Sequence, residues 1–183
     1  LIRESALMHG FEEGFEVHIL SEISSQGSGL GVSSSIAVAL AGCFAKLYDE
    51  SFAGGPRKSV ASNELPWSQL SLAMDAWRVE IDRLRRPIGR QDHMAAAHGG
   101  LRLYSFKGND ASVEKTFSAD DVAWVARHLL LLRLPDGHDA RAILSGVKSP
   151  ATLQSAYDAV DVGLRAIADR DPELLGKALA MGQ

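Results

Sequence analysis

One stretch constrains this chain more than any other. Gly27-Ser28-Gly29-Leu30-Gly31-Val32-Ser33-Ser34-Ser35 runs without a break into an apolar segment that holds no proline, and no charge before Lys46. That segment predicts a helix from about Ser35 to Tyr48, starting near Ser34. Upstream, Phe15, Val17 and Ile19 alternate with polar neighbours, which predicts a strand over 15–20. A glycine-rich loop between a strand and a helix is a demanding arrangement. Glycines at alternate positions let backbone amides approach a ligand closely. Serines then open the helix, where free N–H groups and the helix dipole favour a phosphate. A serine hydroxyl there can also reach magnesium, a hard cation that prefers oxygen. The plain alternative is a flexible serine-glycine surface loop, but linkers do not normally run straight into a buried helix. Two other phosphate loops fit less well. The Walker pattern requires a Gly-Lys-Ser/Thr end that is missing here, and the dinucleotide pattern G-x-G-x-x-G needs its third glycine one residue later.

The chain has 183 residues, with 46% hydrophobic and 23% charged residues, values of an ordinary globular protein. Its net charge of −4 gives no support to a broad nucleic-acid surface. Arg83, Arg85, Arg86 and Arg90 form a local basic cluster, which a solvated helix end would also explain. Cys43 is the single cysteine, so no internal disulfide forms, and a reducing, cytoplasmic setting is expected. It sits in an apolar run and reads as a small buried hydrophobe. No segment has the length of a membrane span.

Leu1 to Met8 reads as a helix already under way, and Pro172 to Met181 as a helix that ends without a cap, so a piece of a longer chain is expected. Residues 51–62 read as a loop. Pro66 suits a first helical position, and Leu70, Ala73, Met74, Trp77, Ile81 and Leu84 follow with helical period. Pro87 and Gly89 end that helix. Asp92 to His98 predicts a short helix closed by Gly99-Gly100. Strands are predicted over 101–105, over 113–117 and, buried, over 129–134. Helices are predicted over 140–147, 151–169 and 172–181. The mixture is α+β rather than a regular βαβ alternation.

A second constellation lies between Glu80 and Gly100. Glu80 falls at the edge of its helix's apolar stripe, where a carboxylate would be half-buried. Asp92 could cap the short helix that follows it. His93 and His98 are five apart, not the four that places two ligands on one helix face, and a zinc site is not expected.

Gly29-Leu30-Gly31 followed by serines is similar to the central phosphate-loop motif Pro-x-x-x-Gly-Leu-Gly-Ser-Ser-Ala of the GHMP kinases, a family that includes galactokinase and homoserine, mevalonate and phosphomevalonate kinases. Ser25 stands where that motif has proline, and Val32 where it has its first serine, which removes one hydroxyl. Ile88-Gly89-Arg90-Gln91-Asp92, with Ala95-Ala96 and Gly99-Gly100, resembles the heptose 7-phosphate kinase branch and, more loosely, the fucokinase branch. A weaker match spans 130–144 and includes Arg141.

The resemblance implies a GHMP-kinase-like α+β fold. Residues 1–117 would be the central and C-terminal part of a ribosomal protein S5 domain 2-like N-terminal domain, and residues 118–183 the start of a C-terminal α/β domain. It implies that Gly27, Ser28, Gly29, Leu30, Gly31, Ser33 and Ser34 hold the phosphates of ATP, and that Ser33 and Glu80 hold Mg2+. Asp92 would orient or deprotonate the acceptor hydroxyl. The acceptor would be a sugar or sugar phosphate, with Arg83, Arg86 or Arg90 on a substrate phosphate. The family's outer motifs would lie beyond both ends, so weak nucleotide binding and little or no turnover are expected of these residues alone, with a homodimer as one way to cover exposed edges. Nucleic-acid and membrane partners are not expected. The rival expectation is a non-catalytic nucleotide- or sugar-binding regulator, or a kinase of other specificity.

Overall fold

A computed structural model describes residues 1–22, 29–52, 68–131 and 150–182. The expectations for Ser25, Gly27, Ser28, Pro66 and Arg141, for residues 53–62, and for the helix over 140–147 lie outside the described residues, as does the part of the third strand over 132–134. The chain divides into two compact units, one starting at Leu1 and running to Gly99, the other starting at Gly100. The described residues are mixed helix and antiparallel hairpin, an α+β arrangement.

The first unit is built around one long helix. Helix α1 spans Ile2–Met8, α2 Val32–Phe52, α3 Gln69–Arg78 and α4 Gln91–His98. Ala37, Ala41 and Ala45 recur every four residues on α2 and form one face. Their small side chains let α3 pack close, so that Leu72 and Ala76 complete a buried cluster with them. A second face of α2 presents Leu40 and Phe44, which pack with Ala6 of α1 and with Phe11, Phe15 and Val17. The Phe15 ring meets Phe44 edge-on at 5.2 Å. Glu4 of α1 also pairs with Arg83 at 3.4 Å.

Several expectations are corrected here. Residues 15–20 are not a strand. The described residues contain a single sheet, of two strands, elsewhere in the chain. Phe15 and Val17 satisfy the alternation by packing on α2, whereas Leu20 is 95% exposed. Cys43 is exposed rather than buried, because Phe44 and the alanines take the two buried faces of α2. The helix expected to run to Leu84 changes character after Arg78. Residues Val79–Arg83 form a π-helical turn, with Leu84 N–H bonded to Val79 C=O five residues back at 3.1 Å. That wider turn shifts the phase of every later side chain, and such turns recur at functional sites. Arg85 then adopts φ 54°, and Arg86 N–H closes the element on Glu80 C=O at 2.9 Å.

In the second unit, β1 (Arg102–Lys107) pairs antiparallel with β2 (Asp110–Thr116), with a bulge between Leu103 and Tyr104. Gly108, at φ 55°, supplies the left-handed residue that a two-residue hairpin turn needs. The second compact unit starts at Gly100, ahead of this hairpin. Helix α5 (Ala119–Arg127) was not anticipated, although Ser118 and Asp121 form a reciprocal capping box at its start. Its Trp124 packs on Ala166 and Leu175, which belong to α6 (Pro150–Asp169) and α7 (Pro172–Met181). The described part of the expected third strand, Leu129 to Leu131, is neither strand nor buried.

Candidate functional site

The N-terminus of α2 sets the position of the site. Gly29 and Gly31 both have φ 65°, the left-handed region that glycine enters without penalty. The helix therefore begins at Val32, two residues earlier than the serines alone suggested. Ser35 N–H and Ser35 Oγ both bond Gly31 C=O, at 2.9 and 3.1 Å. The N–H groups of Val32, Ser33 and Ser34 have no acceptor within the helix, as at any helix start. Ser34 is buried, so its contribution to a ligand would be the N–H. Leu30 is 44% exposed at the tip of the loop.

Two other elements converge on this helix start. Asp92, in the first turn of α4, is exposed. Its side chain lies against Gly31: a Cβ added at that glycine would sit 3.5 Å from the Asp92 Cγ and 3.6 Å from Oδ2. Asp92 does not cap α4. The N-cap position is Arg90, and no side-chain cap bond is made there. The carboxyl is thus aimed at the loop rather than engaged in helix capping.

Glu80 comes from the π-helical turn and is 1% exposed, fully buried rather than half-buried. Ser33 Oγ–H donates to Glu80 Oε1 at 2.9 Å. Arg86 Nη1 donates to the same oxygen at 2.5 Å and to Ser33 Oγ at 3.2 Å. His93 Nε2–H donates to the other oxygen, Oε2, at 2.8 Å. Burial pushes the Glu80 carboxyl up. Hydrogen bonds from His93, Ser33 and Arg86, together with the nearness of His93, outweigh burial and hold it below its ordinary range.

The sequence placed Ser33 and Glu80 together, and they are in contact. It missed His93, which is wholly buried beside Glu80 and keeps an unpartnered Nδ1. The signal was available in principle: successive side chains on a helix turn by about 100°, so past the exposed pair Gln91 and Asp92 the next two positions come round to the core, and His93 and Met94 are both buried. Arg86 was read as a substrate-phosphate group, yet it is committed to Glu80 and Ser33. Arg83 pairs with Glu4. Arg90 lies over the Trp77 ring at 5.3 Å, and Trp77 Nε1–H bonds Ile88 C=O at 3.3 Å, which fixes the segment leading into α4.

Ser33 and Glu80 are hard oxygen donors of the kind magnesium takes. As they stand they do not fit the ion. The place beside Oε1 and Oγ is filled by the Arg86 guanidinium, and Oε2 is taken by His93.

A glycine loop at a helix start, with one carboxyl against it and another, buried, bonded to Ser33, can present free N–H groups to an anion. The family described as GHMP kinases N terminal domain matches residues 1–100. The chain belongs to the GHMP kinase family. The match ends where the first compact unit ends, so the site lies within the matched part. Family membership brings a kinase activity class and the use of ATP in general terms. No curated relative and no solved structure matches the chain. Among the described residues, no helix is long and apolar enough to cross a membrane.

Proposed function

We propose that this GHMP kinase transfers the terminal phosphoryl group of ATP to a hydroxyl of a sugar or sugar phosphate. The observation that carries the reading is the Asp92 carboxyl packed against Gly31, at the start of α2. The loop residues Gly29, Leu30, Gly31, Ser33 and Ser34 would cradle phosphates through backbone N–H groups and the helix dipole. Asp92 would hold the acceptor hydroxyl and take its proton as the new O–P bond forms and ADP leaves. The chemistry asks little more of the protein than position and charge. A cleft of about 570 Å³ beside the loop, walled by Val17, Ile19, Leu30, Val32 and Ile36, offers an apolar seat for a flat base. The motif around Asp92 favours the anomeric hydroxyl of a heptose 7-phosphate as acceptor.

One observation favours a second reading. Glu80 is held by Arg86 and His93, as in a protein that binds a nucleotide or sugar without turning it over. Calorimetric titration with ATP, beside a phosphoryl-transfer assay with ATP, magnesium and a panel of sugars and sugar phosphates, separates the two. Turnover on a sugar phosphate is expected of the kinase once the segments flanking these residues are included. Binding without turnover on any acceptor would favour the regulator, and failure to bind ATP would end the kinase reading and leave only a sugar-binding regulator.

A further inference from the structure

The Glu80 cluster contains more than the phosphate reading uses. A carboxylate 1% exposed needs a compensating cation, because an unpaired buried charge is strongly disfavoured. Arg86 supplies it. One nitrogen, Nη1, touches both Glu80 Oε1 and Ser33 Oγ, the same two oxygens expected of a divalent ion. The guanidinium is carried there by the backbone. The π-helical turn is followed, after Leu84, by Arg85 at φ 54°, and Arg86 N–H bonds Glu80 C=O at 2.9 Å. Residue 86 is thus fastened to residue 80 through both main chain and side chain. His93 closes the other side of the carboxylate, so both Glu80 oxygens already carry a donor.

We propose that Arg86 is the resident cation of this site and excludes divalent metal from Glu80 in the ligand-free chain. Metal and guanidinium compete for one carboxylate oxygen, and two cations at that spacing repel. A metal ion therefore reaches Glu80 only when Arg86 is drawn to another partner. An oxyanion arriving at the start of α2 would be such a partner, since arginine binds phosphate well. That last step rests on the phosphate reading above; the exclusion itself does not. By linkage, the anion and the metal would then each strengthen binding of the other.

The test uses manganese alone, with no nucleotide, and reads free Mn2+ by its electron paramagnetic resonance signal. Arg86→Gln should bind Mn2+ about tenfold or more tighter than the unaltered chain. Arg86→Gln with Glu80→Gln should lose that gain. Arg86→Lys, which keeps the charge, should still exclude the metal. The unaltered chain supplies an arm that needs no substitution: the His93 ring signals in its NMR spectrum should stay sharp as Mn2+ is added. Selective broadening of those signals, or no gain in folded Arg86→Gln, would overturn the proposal. Because no nucleotide is present, either result stands apart from whether the chain binds ATP or turns it over.

Discussion

Asp92 and Glu80 are both carboxylates near the start of α2, and their surroundings give them different work. Asp92 is exposed and rests on Gly31. Glu80 is buried and held on both oxygens. Asp92→Asn keeps the shape and removes the proton acceptor. It should lower turnover by about a hundredfold or more while leaving ATP affinity nearly unchanged. Steady-state kinetics beside an ATP titration checks this; equal loss of both would contradict the assigned role. Glu80 governs stability instead. Its folded pKa lies below the ordinary 4.5, so its contribution is complete above that value and is lost as pH falls through the lowered one. Glu80→Gln should cost roughly 3–5 kcal/mol near neutral pH, since Arg86 and His93 lose their anion. Urea unfolding of both proteins should show that gap shrinking below pH 4.5.

Among the elements, α2 carries the most packing. Its alanine face meets α3 because nothing larger intervenes. Ala41 is 1% exposed, and Ala41→Leu would drive a branched side chain into Leu72 and Ala76. A loss of about 1–3 kcal/mol is expected from overpacking, read as a lower urea midpoint. The end of the α3 element behaves differently. Arg85 is exposed and held in the left-handed region, which disfavours any residue with a Cβ by roughly 1–2 kcal/mol. Arg85→Gly should therefore stabilise the chain by up to about 1 kcal/mol, after glycine's greater freedom in the unfolded state is allowed for. A drop in melting temperature would show that the arginine makes a contribution of its own. Arg170, at φ 55° between α6 and α7, carries the same strain but pairs with Asp121 at 2.8 Å and lies over the Trp124 ring.

For the whole molecule, the match over residues 1–100 covers the stretch from Leu1 to Gly99 of the first compact unit, and Ser33, Glu80 and Asp92 all lie in it. If that unit binds ATP, mass action must stabilise it. At a hundredfold excess over the dissociation constant the gain should be roughly 2.7 kcal/mol, seen as an ATP-dependent rise in the unfolding midpoint. A midpoint that ignores ATP at millimolar concentration would argue against nucleotide binding.

The sequence by itself determined the parts that depend on neighbours along the chain. Glycines at 29 and 31 followed by an unbroken apolar run specified a loop feeding a helix, because only backbone freedom and hydrophobic period are involved. The same locality made α4, α6, α7 and the hairpin legible. Local alternation over Phe15 to Ile19 misled, because a strand also needs a partner strand, and residues 15–17 instead found their apolar contacts on α2. Tertiary structure alone decided what surrounds Glu80. One added residue in the π-helical turn rotates the side chains that follow, and that rotation brings Arg86 back onto Glu80 while α4 turns His93 inward. Partners 47, 13 and 6 residues away along the chain meet at one carboxylate. Burial there selects for charge compensation, a pressure that no pattern of adjacent residues records.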